Sequence, residues 1–183
     1  MYEVELKVRA DHARLRELLA ARDADHRHEV RQVDIYYDAP HREFAETDEA
    51  LRIRTETDLE RGEKTTKLTY KGPLVEAASK TREEHETIVG DAVAAAGIFE
   101  GLGFEPAATV EKRRDSYILN GYTVTLDDVA GLGEFVEVER EVDTDDPDDP
   151  CIKRVREGAT ALMTDVGLDP DDQIQTSYLG LLL

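Results

Sequence analysis

The sequence has few of the residues that crosslink a chain or anchor it in a membrane. A single cysteine, Cys151, stands among 183 residues, so no disulfide can form within the chain, and this suits a reducing compartment. No apolar run approaches the roughly 20 residues that span a bilayer. The first residues lack the basic start and apolar stretch of a secretory signal. We therefore expect a cytoplasmic protein with no membrane partner.

Positive charge is also scarce. Lysine and arginine number 23 against 42 aspartate and glutamate residues, which gives a net charge of −19. A field of this sign repels nucleic acid and anionic lipid, so neither is an expected partner. Any polyphosphate site must therefore bring cations together locally. Only 7 of the 23 cations are lysines, and this acid excess predicts a high-salt cytoplasm, in which ions screen the self-repulsion.

Apolar residues alternate with polar ones over most of the chain, which is typical of half-buried strands. The pattern predicts strands at 2–9, 29–38, 50–58, 64–72, 82–90, 110–119, 122–129 and 134–142, and helices at 11–22, 91–102 and 151–166. The apolar end, 178–183, is expected to dock onto the fold. About eight strands in local succession predict an α+β fold with an antiparallel sheet. No linker divides the chain, so we expect one domain over residues 1–183.

The polar face of these strands carries cations and carboxylates. Arg52 and Arg54 alternate with apolar residues, and Glu137 and Glu139 do the same near the end of the strand region. Alternation alone favours an ordinary solvated sheet with cross-strand ion pairs. However, neutral polar residues are rare at these positions, and eight strands can close into a barrel whose lumen would hold the charges. Such a lumen suits a polyphosphate with divalent metal ions, because cations bind phosphate oxygens and carboxylates bind the metal.

Several motifs follow one another in order along the chain. They are Glu3-x-Glu5-x-Lys7, Gln32-x-Asp34-x-Tyr36-Tyr37-x-x-Pro40, Leu51-Arg52-Ile53-Arg54, Leu68-Thr69-Tyr70-Lys71-Gly72-Pro73, Ser79-Lys80-Thr81-Arg82-x-Glu84, Glu111-Lys112-x-Arg114-Asp115, Leu126-Asp127-Asp128-Val129-x-Gly131-Leu132-Gly133-x-Phe135-Val136-Glu137-Val138-Glu139 and Ser177-Tyr178-Leu179. Together they resemble the CYTH superfamily, the triphosphate tunnel metalloenzymes, and in particular its CyaB-like branch of class IV adenylate cyclases. Gly180 departs from this pattern, because an acidic residue is expected there.

The resemblance implies a fold and a set of site residues. The fold is an antiparallel barrel of about eight strands with helices packed outside. The implied metal ligands, for Mg or Mn, are Glu3, Glu5, Asp127, Glu137 and Glu139. The implied triphosphate-binding residues are Arg52, Arg54, Lys67, Lys71, Arg82, Lys112 and Arg114. The candidate catalytic residues are Lys7, which would bind phosphate or move a proton, and Asp127, as a base that is also a metal ligand.

The resemblance also implies a reaction. In a class IV cyclase the ribose 3′-hydroxyl of ATP attacks the α-phosphorus, and cyclic AMP and pyrophosphate form. The same residues would serve a triphosphatase acting on thiamine triphosphate, inorganic triphosphate or nucleotides. A non-catalytic module that binds a polyphosphate is a third alternative. The partner is thus expected to be a nucleoside triphosphate or another triphosphate, and the resemblance makes a homodimer plausible without identifying an interface.

Salt is expected to stabilise the protein, because screening weakens the repulsion among 42 acidic residues. The melting temperature should rise steeply from dilute buffer to about 1 M KCl, because the Debye length falls to about 3 Å at 1 M salt. A parallel series in sucrose controls for general solute exclusion. A melting temperature that does not change with KCl would contradict the high-salt hypothesis.

Overall fold

The computed structural model describes residues 1–76 and 81–183. Its eight strands are β1 (Tyr2–Arg9), β2 (Asp25–Asp38), β3 (Ala50–Asp58), β4 (Lys64–Glu76), β5 (Thr81–Val89), β6 (Glu105–Leu119), β7 (Tyr122–Val129) and β8 (Gly133–Val142). They form a closed antiparallel barrel in the order β1-β5-β4-β3-β2-β6-β7-β8. The predicted eight-stranded antiparallel barrel is therefore confirmed.

The helices lie outside the barrel, as predicted. They are α1 (His12–Ala20), α2 (Phe44–Thr47), α3 (Ala92–Gly101), α4 (Pro150–Asp165) and α5 (Tyr178–Leu182), with a short 3₁₀ turn at Pro170–Asp172. Asp11, Asp91 and Asp149 cap α1, α3 and α4, and each side chain accepts hydrogen bonds from backbone amides of the first turn. Three of the abundant acids thus have a local structural role.

Three strands are longer by four or five residues than the alternation predicted. β2 begins at Asp25 and β6 at Glu105, whereas the pattern placed their starts at 29 and 110. The β2–β6 pair contains register shifts between His26 and His28 and between Tyr36 and Tyr37. A shift of one residue exchanges the two faces of a strand and therefore interrupts the period of two. β4 likewise continues beyond 72 to Glu76.

Two apolar clusters fix the helices on the barrel. Leu15 and Leu19 of α1 and Leu162 and Met163 of α4 are buried against the outer face of β1, β7 and β8. On the other side, Ala95 of α3 packs with residues of β2 and β3. Each large aliphatic side chain buried in this way contributes about 1.5–3 kcal/mol. The apolar face of the strands therefore points outward to the helices, and the charged face is left to line the lumen.

None of the helices among the described residues is long and apolar enough to cross a membrane.

Gly158 marks the tightest contact between α4 and the barrel. A Cβ there would overlap the hydroxyl of Tyr122 and lie 3.0 Å from its Cζ atom, and that hydroxyl donates a hydrogen bond to the Val155 carbonyl at 2.9 Å. Gly158→Ala is expected to lower the free energy of unfolding by about 1–3 kcal/mol through overpacking.

Chemical denaturation of Gly158→Ala, Tyr122→Phe and the double mutant tests this contact. In a Tyr122→Phe background the overlapping oxygen is gone, so the same substitution should cost less. An equal cost in both backgrounds would show that the Tyr122 hydroxyl is not what the added methyl group meets.

A charged tunnel as the candidate active site

A cavity of about 760 Å³ occupies the barrel lumen. Twelve of the thirteen predicted site residues line it: Glu3, Glu5, Lys7, Arg52, Arg54, Lys67, Lys71, Arg82, Lys112, Arg114, Glu137 and Glu139. They come from six of the eight strands, and the inward half of each alternating pattern provides them. The thirteenth, Asp127 on β7, is fully buried beside the cavity. The structure thus brings the predicted residues together around one space.

Three carboxylates form a group that could hold a metal ion. Glu3, Glu5 and Glu139 each place one oxygen within 4.8 Å of the others, and Glu5 lies opposite Glu139 in the β1–β8 register. Burial and the neighbouring charges of Glu3, Glu137 and Glu5 raise the pKa of Glu139 to about 8, although Arg114 opposes this shift. Crowded carboxylate oxygens of this kind match the hard-donor preference of Mg or Mn, so the residues fit such an ion.

Lys71 provides a cation beside this group. Its ammonium lies 2.6 Å from Glu3 Oε2 and 2.8 Å from Glu84 Oε2. Burial still raises the pKa of Glu3, with a further contribution from Glu84, while Lys71 opposes the shift. One ammonium therefore does not neutralise the local carboxylates, which leaves room for a second cation.

Asp127 is bound by cations of the protein itself. Its carboxylate accepts hydrogen bonds from Arg114 Nε at 2.7 Å, Arg114 Nη2 at 2.6 Å, Lys112 Nζ at 2.8 Å and the Tyr178 hydroxyl at 3.0 Å. Burial opposes ionisation, yet Arg114 and Lys112 hold the pKa of Asp127 below its usual range. A role as metal ligand or base would require release from these donors, so both roles of Asp127 remain predictions.

Glu137 also contacts the Arg114 guanidinium. Burial acts against its charge, but Arg114 and Lys112 lower its pKa to about 2. Glu137 is therefore an ionised partner of Arg114, and it is not a member of the close group formed by Glu3, Glu5 and Glu139. Its predicted role as a metal ligand remains a prediction.

Asp34 is a site residue to which the sequence analysis gave no role. It receives two hydrogen bonds of 2.6 Å from Arg54, and Arg52 Nη1 lies 3.5 Å away. Although burial opposes its charge, Arg54 and Arg52 lower its pKa. Asp34 alternates with Gln32 and Tyr36 on the inward face of β2, and this shared face was the sequence signal that could have identified it. Among the described residues, the buried Nε of Arg52 has no hydrogen-bond partner, so this donor is free for a phosphate oxygen.

The two less central cations have different contacts. Lys67 Nζ lies 3.5 Å from Glu86 and 3.9 Å from Glu56, and it is partly exposed. Arg82 binds the carboxylate of Asp48 at 2.6 Å and its carbonyl, and so joins β5 to the segment between α2 and β3. Ser79 and Lys80, which precede Arg82 in the motif, lie outside the described residues. Phosphate binding by Lys67 and Arg82 remains a prediction.

Tyr178, the first residue of α5, is a second residue that had no assigned role. Its ring centroid lies 4.3 Å from Lys7 Nζ and 4.8 Å from Lys112 Nζ, and only 7% of the residue is exposed. The aromatic face thus stabilises two cations that stand close together. Burial and the nearby Arg114 lower the pKa of Lys112 to about 8, despite the opposing effect of Asp127. The sequence signal was the Ser177-Tyr178-Leu179 motif.

The cavity is not lined by charged residues alone. Uncharged side chains, which include Tyr36, Phe44, Leu51, Ala107 and Leu179, also line it. Near α2 they stand beside acidic residues, namely Asp38, Glu43, Asp48 and Glu49. A ligand in the lumen would therefore meet apolar and aromatic surface as well as ions.

A closed barrel with cations and carboxylates in its lumen defines a triphosphate tunnel protein. The model of the CYTH domain matches residues 1–178, and the chain belongs to this family. It is 36% identical over 99% of its length to a protein of Methanocaldococcus jannaschii provisionally named adenylate cyclase, 98% of which is covered.

Solved structures agree with this membership. The PH1819 protein of Pyrococcus horikoshii is 36% identical with a TM-score of 0.87, and the match covers 98% of this chain and 97% of that one. A provisionally named adenylate cyclase of Vibrio parahaemolyticus is 26% identical with a TM-score of 0.83, covering 100% and 98%. A Hippeastrum protein provisionally named adenylyl cyclase, and described as having a dominant triphosphatase activity, shares the fold at 18% identity and a TM-score of 0.67, covering 98% and 93%.

The raised pKa of Glu139 predicts a pH effect on the metal-free protein. In the unfolded chain this carboxyl ionises near pH 4.5, whereas in the folded chain its pKa is about 8. Because the folded state holds the proton more tightly, this residue lowers the free energy of unfolding as the pH rises from about 5 through 8.

Glu139→Gln should remove this part of the pH profile and make the metal-free protein more resistant to urea at pH 9 than the wild type. Glu111→Gln, an exposed position on β6, is the matched control and should keep the wild-type profile. If the Glu139→Gln profile runs parallel to the wild-type profile, the proton does not reside on Glu139.

Proposed function

We propose that the protein is a metal-dependent adenylate cyclase that converts ATP to cyclic AMP and pyrophosphate inside the tunnel. The observation that carries this proposal is the lumen itself, where the close carboxylate group of Glu3, Glu5 and Glu139 adjoins a continuous set of buried cations. The relative of this chain that is provisionally named adenylate cyclase supports the choice of reaction.

In this proposal the cations hold the triphosphate. Arg52 would donate through its free Nε, and Lys71, Arg54, Lys112 and Arg114 would turn from internal carboxylates toward phosphate oxygens. Asp34 and Asp127 hold the guanidinium groups of Arg54 and Arg114 in the barrel before the substrate enters.

The metal ion, Mg or Mn, would be held by Glu3, Glu5 and Glu139. When bound, it would lower the pKa of the attacking hydroxyl and neutralise charge on the phosphates. Lys112, whose pKa is lowered to about 8, is the cation best suited to exchange a proton near neutral pH. Lys7 would remain beside Tyr178 as a phosphate contact.

The apolar and aromatic part of the cavity lining supports a nucleoside triphosphate over a bare polyphosphate. Tyr36, Phe44, Leu51 and Leu179 would contact a base and ribose, whereas inorganic triphosphate has no group for such a contact. The free carboxylates of the lumen likewise argue against a module that only binds anions, because added negative charge would weaken its affinity.

Hydrolysis of a triphosphate is the second candidate function. The cation and carboxylate set acts on phosphate oxygens whichever nucleophile attacks, and no residue of the lumen is tied to a ribose. The described activity of the Hippeastrum protein indicates that this fold also accommodates hydrolysis.

The net charge of −19 further supports action in a high-salt cytoplasm.

A product assay separates these candidates. The purified protein is incubated in about 1 M KCl, to screen its charge, with Mg or Mn and with ATP, thiamine triphosphate or inorganic triphosphate. Cyclic AMP and pyrophosphate from ATP would support the cyclase. Phosphate release without cyclic AMP would assign the tunnel to a triphosphatase, and no turnover by folded protein would leave only a binding module.

Substitution of the carboxylate group provides the matching variant test. Glu5→Gln should lower turnover by about 100-fold or more, because loss of even a residue that only supports a ligand costs 10–100-fold. Glu111→Gln, whose side chain is exposed on the outer surface of β6, is the control and should keep full turnover. Full activity in Glu5→Gln would exclude the proposed metal site.

A further inference from the structure

Gln32, on β2, places a buried hydrogen-bond acceptor in the lumen. The residue is only 3% exposed, and it lines the cavity. Among the described residues its side-chain oxygen, Oε1, has no hydrogen-bond partner. Buried polar atoms are normally paired, and an unpaired one costs stability. An acceptor of this kind in the wall of a binding cavity therefore indicates a bond that forms with a ligand.

The neighbouring strand fixes the direction in which this amide faces. Gln32 Nε2 donates a hydrogen bond of 2.7 Å to Oε2 of Glu56, the residue opposite it on β3. An ionised carboxylate only accepts hydrogen bonds, so the amide would lose this bond if its oxygen turned toward Glu56. The nitrogen is thus kept on the side of Glu56, and Oε1 is kept on the other side.

Gln32 lies among the cations that are proposed to hold the triphosphate. It is opposite Lys112 in the β2–β6 register. Two residues further along the same face of β2, Asp34 accepts two hydrogen bonds of 2.6 Å from Arg54. A ligand whose phosphates contact both Lys112 and Arg54 would therefore pass the amide of Gln32.

The chemistry of Oε1 limits the group that it can bind. Ionised phosphate oxygens and carboxylates are acceptors, so they form no hydrogen bond with a second acceptor. Lys112 Nζ already donates to Asp127 at 2.8 Å. The missing partner must carry a proton and stand next to a phosphate. A hydroxyl group meets both conditions, whereas the amino group of a base is separated from the phosphates by the ribose.

We propose that Gln32 Oε1 accepts a hydrogen bond from the attacking hydroxyl and so directs a lone pair of the hydroxyl oxygen at phosphorus. This inference rests on the proposed function and adds a residue that contacts the reacting atoms. The hydroxyl belongs to the ribose in a cyclase and to water in a triphosphatase.

The amide orients the hydroxyl and takes no proton from it. In either reaction an O–P bond forms, the bond from phosphorus to the leaving phosphate group breaks, and the hydroxyl proton passes to solvent. A neutral amide is not a base at any ordinary pH, so the contribution of Gln32 is the alignment of the attacking oxygen.

Gln32→Met tests the proposal, because methionine has a similar length and lacks a strong acceptor. With ATP and Mg or Mn in about 1 M KCl, kcat should fall about 10-fold or more and KM should change less than about 2-fold, because the alignment acts in the transition state. The fall is expected in cyclic AMP formation if the ribose provides the hydroxyl, and in phosphate release if water does. Gln175→Met, at an exposed position outside the cavity lining, should keep wild-type kinetics.

Inorganic triphosphate separates orientation of the hydroxyl from binding of the phosphates. It carries no sugar, so it should compete with ATP equally well in the wild type and in Gln32→Met. The melting temperature should also change little, because the variant loses one bond to the partly exposed Glu56 and one unpaired acceptor. Weaker competition in the variant would place Gln32 in the phosphate site and overturn the proposal.

Glu56→Gln tests whether Glu56 acts through Gln32. Without the carboxylate the amide is no longer held in one direction, so kcat should fall, though less than in Gln32→Met. In the Gln32→Met background the same substitution should have little further effect on kcat, since no amide remains to be held. Losses that simply multiply would contradict an orienting pair.

The product assay keeps this proposal separate from the proposed function. ATP turnover with an unchanged kcat in Gln32→Met would overturn the role of Gln32 and leave the reaction as proposed. Phosphate release without cyclic AMP, with the expected fall in Gln32→Met, would reject the cyclase and retain the role of Gln32. A folded wild type without turnover would overturn both.

Discussion

The structure depends on the compensation of charge inside a closed barrel. Closing eight strands removes every sheet edge, but it also encloses whichever face points inward, and in this chain that face carries ions. An isolated charge in such a place would cost several kcal/mol. The lumen remains stable because Asp127 accepts hydrogen bonds from Arg114 and Lys112, while Asp34 accepts from Arg54 and forms an ion pair with Arg52.

Charge compensation is uneven around the lumen, and the uncompensated charges determine which ligands the lumen can bind. Around β6 the cations prevail, because Arg114 and Lys112 hold Asp127 of β7 and Glu137 of β8 ionised. On β1 and β8 the carboxylates outnumber the cations, and the pKa of Glu139 rises to about 8. One wall of the lumen is thus suited to an anion and the other to a cation. A metal–triphosphate complex carries both charges in one ligand.

The fold and most of the lumen could be predicted from the sequence, because both follow from the alternation of inward and outward side chains within single strands. Glu3 with Glu5 and Arg52 with Arg54 share a face wherever their strand lies, so alternation alone placed them together. The motifs added what alternation lacks, namely that the sheet closes. Helices α1, α3 and α4 were found because their apolar periods are long enough to recognise, whereas α2 and α5 have only four and five residues.

What the sequence could not provide is the partner of each charge. Asp127 meets Arg114 and Lys112 across the β6–β7 register, and Asp34 meets Arg54 across β2–β3. Those contacts depend on the register between neighbouring strands, which the pattern of a single strand does not contain. Tyr178 could not be placed either, because it reaches Asp127 from a helix 51 residues away. A pattern within one strand specifies the direction of a side chain and not what it meets.

The position of the acidic residues reconciles a chain of net charge −19 with an anionic substrate. Carboxylates on the outside act through water, where salt reduces their effect over about 10 Å. Cations inside the barrel act at contact distance in a medium of lower dielectric, where each interaction is several times stronger. The global charge therefore governs solubility and the rate of encounter, while the buried cations govern binding. High salt would weaken the first effect far more than the second, so the salt concentrations at which we expect the fold to be most stable would also favour entry of the proposed triphosphate substrate.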